Sequence, residues 1–75
     1  MTPNERKIHN TRIREQIMDL RDQRFRIYKI ISELEDKQAF NPKHFSVNDA
    51  YWLKYHKADV ARIKAEEARL RAMIH

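Results

Sequence analysis

Histidines and neighbouring carboxylates are the side chains of this sequence that could carry metal or acid–base chemistry. The four histidines stand far apart, at His9, His44, His56 and His75. No two of them are three or four residues apart, so one face of a helix cannot present two imidazoles to a metal ion. The chain has no Cys and no Gly, which excludes thiolate ligands, Cys nucleophiles and Gly-rich phosphate loops.

Three pairs of acidic residues stand close together in the sequence. They are Asp19 with Asp22, Glu33 with Asp36, and Glu66 with Glu67. On a helix surface such carboxylates usually pair with adjacent bases. A small helical protein also lacks the deep cleft that would desolvate an acid and shift its pKa. We therefore predict that the protein is not an enzyme and that it uses no metal and no cofactor.

The chain is short, basic and poor in large apolar side chains. It has 75 residues, with 16 Lys and Arg against 11 Asp and Glu, and a formal net charge of +5. This length predicts a single domain over residues 1–75, whose thin core favours a partner subunit or a larger complex. The sequence has neither a secretory signal nor a membrane-spanning run of apolar residues. We expect a cytoplasmic protein, or one of another reducing compartment, with no membrane partner.

One connection interrupts an otherwise helical pattern. Apolar residues recur every three or four positions, which predicts helices and not strands. Pro42 ends the first helix, because proline lacks an N–H donor and disfavours helical backbone in the residue before it. Ser46, with Asp49 three residues later, is typical of a capping box that begins a helix. The sequence thus predicts an all-α fold, with a helix over about residues 5–39, a connection over 40–46 and a helix over about 47–74.

Each helix carries a stripe of mainly apolar residues with coiled-coil spacing. The first stripe is Ile13, Ile17, Leu20, Arg24, Ile27, Ile31 and Leu34, and the second is Leu53, His56, Val60, Ile63, Glu67, Leu70 and Ile74. Laid antiparallel, the stripes match without a slip, from Leu34 beside Leu53 to Ile13 beside Ile74. This seam predicts an antiparallel two-helix hairpin. It also brings Arg24 and Glu67 into adjacent layers, where they can pair.

The faces turned away from the seam carry further residues of interest. The second helix repeats alanine at intervals of three and four, at Ala58, Ala61, Ala65, Ala68 and Ala72. High helix propensity explains these alanines as well as a close helix contact does. Met18 and Phe25 lie on the back of the first helix, where a monomer would leave them exposed. We expect the hairpin to dimerise into a four-helix bundle, or to dock on a larger partner, through these residues.

Most of the aromatic residues gather around the connection and the start of the second helix. They are Phe40, Phe45, Tyr51, Trp52 and Tyr55. The favoured interpretation is an aromatic plug that closes the loop end of the hairpin. Two alternatives are a contact patch for a protein partner, since Trp and Tyr are enriched at binding hot spots, and a platform on which unpaired bases stack beside Lys54 and Lys57.

Positive charge collects along one side of the predicted hairpin. In the antiparallel register, Arg14 and Arg21 of the first helix lie beside Arg71 and Lys64 of the second, and Tyr28 lies beside Lys57. Glu35 is the one acid of that row, and Lys7, Lys29 and Lys54 can broaden it. Like charges at close range destabilise a fold, so this row indicates an anionic partner, with a merely solvated basic face as the alternative.

Two functions are compatible with these patterns. The first is a non-catalytic basic hairpin that associates with an RNA or DNA backbone without strong sequence readout, or with an acidic protein surface that offers the same charge. The second is a small protein–protein interaction module, for example an adaptor, an assembly component or an inhibitor of the kind that phages use.

Overall fold

The structure, a computed structural model, describes all 75 residues and consists of two helices joined by a short connection. Helix α1 spans Pro3–Phe40 and helix α2 spans Val47–Arg71, with a single 3-10 turn at Pro42–His44 between them. The helices pack antiparallel as a hairpin that measures 61 × 14 × 14 Å. The predicted all-α two-helix fold is confirmed.

Local sequence signals begin and end the helices. Ser46 caps α2 as predicted, because its Oγ accepts from the Asp49 N–H at 3.0 Å and its own N–H donates to Asp49 Oδ2 at 3.0 Å. Thr2 and Glu5 form a second capping box, so α1 begins at Pro3 and not near Glu5. The sequence-based prediction missed this earlier start. Its signal is a capping residue, Thr2, followed by Pro3 at the first helical position and by Glu5 three residues after Thr2.

The predicted end of α2 near Ile74 is wrong, since the helix ends at Arg71. The last residues turn toward the start of α1, where Asn10 Nδ2 donates to the His75 carbonyl at 2.8 Å and Asn10 Oδ1 accepts from the His75 N–H at 3.1 Å. His9 Nε2 lies 3.1 Å from the Met73 carbonyl oxygen, and the His9 and His75 rings stack. This contact fastens the open end of the hairpin.

The seam between the helices has the predicted composition. All of its residues are buried or half-buried, and six apolar ones are buried: Ile13, Ile31, Leu53, Val60, Ile63 and Leu70. His56 is half-buried in the seam, and its Nδ1 is buried without a hydrogen-bond partner. The core is a single narrow stripe that leaves the other faces of both helices uncovered.

The predicted pairing of Arg24 with Glu67 is also confirmed. Arg24 Nε donates to Glu67 Oε1 at 3.0 Å, and Arg24 Nη2 donates to Glu67 Oε2 at 3.4 Å. Hydrogen bonds from the guanidinium to the Glu67 carboxylate, and then its contact with the Tyr28 hydroxyl, raise the pKa of Arg24 above its usual value. The pair fixes the register, because a slip of the helices would leave Glu67 buried and alone.

Candidate functional site

Seven bases lie along one side of the hairpin, which we call the basic flank. All seven side chains are exposed, and they come from both helices: Lys7, Arg14, Arg21, Lys54, Lys57, Lys64 and Arg71. Glu35 is the one acid among them. Lys29, which the sequence also predicted as a binding residue, is exposed on the outer side of α1 at the edge of this flank.

Contacts between the helices offset part of this charge. Lys57 Nζ lies 3.8 Å from Glu35 Oε1, and Lys64 Nζ lies 5.7 Å from the centre of the Tyr28 ring. The prediction that Tyr28 lies beside Lys57 is therefore wrong by one heptad. Side chains of a helix lean toward its N-terminus. In an antiparallel pair the two helices lean in opposite directions, so each side chain contacts a residue of higher number in the other helix than the one directly opposite its own Cα.

Tyr28 is the centre of a small polar cluster on the basic flank. The nearby ammonium of Lys64 and then the guanidinium of Arg24 lower the pKa of the Tyr28 hydroxyl below its usual value, because both cations stabilise the phenolate. The Arg24 guanidinium also lies 5.8 Å from the centre of the Tyr28 ring. Lys64 was predicted to lie beside Arg21, a residue of like charge. It instead contacts the ring of Tyr28, whose face attracts a cation.

Most of the predicted binding bases are free to meet an external anion. Arg14, Lys29, Lys54 and Lys64 have no acid within 4.0 Å, whereas Arg21, Lys57 and Arg71 each lie 3.7 or 3.8 Å from one. The exposed pairs of Arg21 with Asp22 and of Lys57 with Glu35 contribute little to stability, and an incoming phosphate can replace them. Arg71 differs, because its partner Glu67 is buried.

Met18 and Phe25 lie at the border of the basic flank and are exposed, as expected for a monomer. Two guanidinium groups approach the Phe25 ring, that of Arg24 at 5.4 Å and that of Arg21 at 5.8 Å from its centre. The ring therefore holds Arg21 near the surface of α1. The alanines of α2 that the sequence also assigned to an interface, Ala58, Ala61, Ala65 and Ala68, are exposed as well.

The aromatic plug predicted for the loop end is wrong for four of its five members. Only Phe45 packs against the core. The others remain exposed by 84% (Phe40), 61% (Tyr51), 43% (Trp52) and 51% (Tyr55). The reason is helical geometry, because Leu53 faces α1 and its neighbours in α2 turn away from it.

The aromatic residues of α2 instead pack on one another. Trp52 makes edge-to-face contacts with Tyr51 and Tyr55, at ring-centre distances of 5.4 and 5.5 Å, and it stacks on His56 at 5.8 Å. The three exposed rings therefore form a preformed patch, which we call the aromatic cluster.

The side of the hairpin opposite the basic flank carries both signs of charge, and we call it the mixed flank. Its bases are Arg12, Arg26, Lys37, Arg62 and Arg69, and its acids are Glu5, Asp19, Glu33, Asp59 and Glu66. On α2, the Nε atoms of Arg62 and Arg69 donate to Asp59 and Glu66, each at 3.1 Å. Trp52 and Tyr55 of the aromatic cluster lie on this flank, away from the basic flank.

Neither a metal site nor a membrane-crossing helix is part of the structure. No three His, Asp or Glu side chains come together as metal ligands. No helix has the length and apolar content that crossing a bilayer requires. Comparisons of the chain with protein-family models, with curated proteins and with solved structures find no match.

Proposed function

We propose that this protein is a non-catalytic hairpin that binds the phosphate backbone of RNA or DNA through its basic flank, without strong sequence readout. The observation that carries the proposal is the division of charge. Seven bases and one acid lie on the basic flank, against five bases and five acids on the mixed flank. A neutral partner would gain nothing from this arrangement, whereas a polyanion offsets the repulsion among the bases.

The length of the hairpin also supports contact with the phosphate backbone of a nucleic acid. The molecule is 61 Å long, which matches nearly two turns of a duplex at about 34 Å per turn. Arg14 and Arg71 lie near the open end of the flank and Lys54 and Lys57 near the loop end, so phosphates can be held along its length, by the arginines in a bidentate manner.

Binding of labelled oligonucleotides tests the proposal. Fluorescence anisotropy with 20-nucleotide RNA and DNA, single-stranded and duplex, gives the affinity at several salt concentrations. Contacts from the four unpaired bases to duplex phosphates predict a slope of log K against log salt of about −3.6, which is a loss of about 150-fold between 50 and 200 mM salt. Oligonucleotides of different sequence should bind with similar affinity.

A matched pair of variants separates a localised site from a net-charge effect. Lys64 lies on the basic flank and Lys43 in the connection, and neither has an acidic partner within 4.0 Å. Lys64→Glu should weaken binding about tenfold and make the salt slope shallower by about one, while Lys43→Glu should weaken it less than about threefold. Equal losses for the two variants, or no binding at 50 mM salt, would contradict the proposal.

The exposed aromatic cluster favours a second candidate, a module that docks on a larger protein as an adaptor, assembly component or inhibitor. Trp and Tyr dominate binding hot spots, and Trp52 and Tyr55 are half exposed with no internal role in the core. A pull-down tests this function. A partner protein that stays bound after nuclease treatment and at high salt, and is lost with Trp52→Ala, would favour it over the first.

We also infer that the hairpin works as a dimer or within a complex. The seam buries only six apolar residues, which is a small core for an independent domain.

A further inference from the structure

The hairpin exposes more surface than a compact chain of its mass. Its accessible area is 5973 Å², whereas a compact folded chain of 9.2 kDa exposes about 4,900 Å². The difference, about 1,100 Å², is enough to supply the roughly 800 Å² that each partner buries in a standard protein interface. One broad face of the hairpin, 61 Å by 14 Å, has a similar area of about 850 Å². Covering one face would therefore bring the molecule to the exposure of an ordinary domain.

Charge decides which face a second copy can cover. Two basic flanks would repel each other, since seven bases on each would meet with one acid to offset them. The mixed flank has equal numbers of acids and bases. It also carries the exposed apolar residues Ile30, Trp52, Tyr55 and Met73, which can supply the buried centre of an interface.

The charges of α1 on the mixed flank form a row that complements itself. Arg12, Asp19, Arg26 and Glu33 stand seven residues apart, alternate in sign and are all exposed. None of them has an ion-pair partner within the hairpin. A second copy of the row, reversed by a two-fold axis, sets every base opposite an acid, while a parallel copy sets each charge opposite itself.

We propose that two copies of this chain pair through their mixed flanks in an antiparallel, face-to-face dimer. Arg12 of each copy lies opposite Glu33 of the other, and Asp19 lies opposite Arg26. The two-fold axis passes between Asp22 and Gln23 of α1. The proposal specifies the face used in the self-association inferred above, and it does not depend on nucleic-acid binding.

The same axis also matches the apolar residues of α2. The register of the hairpin sets the midpoint of the charge row level with Lys64 and Ala65. Tyr55 lies about nine residues before that level and Met73 about nine residues after it, at 1.5 Å per residue. The two-fold axis therefore brings Tyr55 of one copy to the level of Met73 of the other.

Cross-linking tests the position of the axis. The chain has no cysteine, so a single introduced cysteine reports one site. Under mild oxidation Gln23→Cys, next to the axis, should form a disulfide-linked dimer. Gln16→Cys, on the same flank but seven residues away, should not, because its two copies would lie about 20 Å apart and a disulfide needs Cα atoms within about 7 Å.

Charge exchange tests the pairing itself. In sedimentation equilibrium the wild-type chain should be a dimer, and Asp19→Arg should raise its dissociation constant at least about tenfold, because two attractive contacts become repulsive. The double variant Asp19→Arg with Arg26→Asp restores opposite charges and should return the constant to within about threefold of wild type. Its circular dichroism spectrum checks that the hairpin still folds.

Each outcome decides between the claims. A monomer at every concentration overturns self-association and its interface together. A dimer that cross-links through both glutamines or neither, or whose affinity ignores the charge exchange, overturns this interface while self-association stands. The cross-link at Gln23 together with rescue by the double variant supports the proposed dimer.

Discussion

The ion pair between Arg24 and Glu67 makes the strongest prediction about stability, because its two members are buried to different extents. The Glu67 side chain is 3% exposed and that of Arg24 is 17% exposed. Arg71 is the only other base near Glu67, with Nη2 at 3.7 Å from Oε2. The two single substitutions of this pair should therefore differ in cost.

Arg24→Met removes the main partner of a buried carboxylate. Leaving Glu67 charged and buried should lower the free energy of unfolding by about 3 kcal/mol. This is the lower end of the usual range, because Arg71 can move closer to the carboxylate. Glu67→Leu should cost clearly less, since the long Arg24 side chain can turn its guanidinium into water and leave its methylenes on the core. The double variant, Arg24→Met with Glu67→Leu, should be as stable as wild type or more so by about 1 kcal/mol, because it fills the seam without burying charge.

Urea unfolding followed by far-ultraviolet circular dichroism measures these differences. All four proteins should be compared at one protein concentration, since self-association would add to the apparent stability. The reasoning is refuted if Glu67→Leu costs as much as Arg24→Met, or if the double variant is less stable than Arg24→Met.

Three further measurements follow from the structure. Lys64→Ala should raise the pKa of Tyr28 toward its usual value, because it removes a cation that stabilises the phenolate; absorbance at 295 nm during a pH titration checks this. Hydrogen bonds from Lys37 and from the Ser46 backbone lower the pKa of Asp49, so its stabilising effect is complete above the ordinary Asp pKa and is lost as pH falls through the lowered value; thermal unfolding of Asp49→Asn should depend less on pH in that acidic range than wild type. His56→Leu should raise the free energy of unfolding by about 1 kcal/mol in urea, because it removes a buried ring nitrogen that has no partner.

The local features of the fold could be predicted because short-range spacing determines them. The intervals between apolar residues predict the seam, and the capping box of Ser46 and Asp49 predicts the start of α2. Even the pair Arg24 and Glu67 follows once the two stripes are aligned. Each of these inferences needs only the helical period and one alignment of two helices.

The failed predictions concern contacts that spacing alone does not determine. The contact between Asn10 and His75 joins residues at opposite ends of the chain, and it ends α2 earlier than helix propensity would. Tyr28 contacts Lys64 because side chains lean toward the N-terminus of their helix, and an alignment of residue numbers alone does not include this lean. The aromatic plug failed for a different reason, since the period that buries Leu53 already turns Tyr51 and Tyr55 outward.

The proposed nucleic-acid site and the proposed dimer interface lie on different flanks, so a substitution on one flank should leave the other function unchanged. A dimer through the mixed flanks leaves the basic flanks on its two outer surfaces, so each copy keeps its site for an anion. Lys64→Glu should therefore weaken nucleic-acid binding without changing the dimer, whereas Asp19→Arg should weaken the dimer while each monomer keeps its basic flank. In the proposed dimer the two surfaces face opposite ways, so we expect it to hold two nucleic-acid segments at once, which a monomer with one basic flank cannot do.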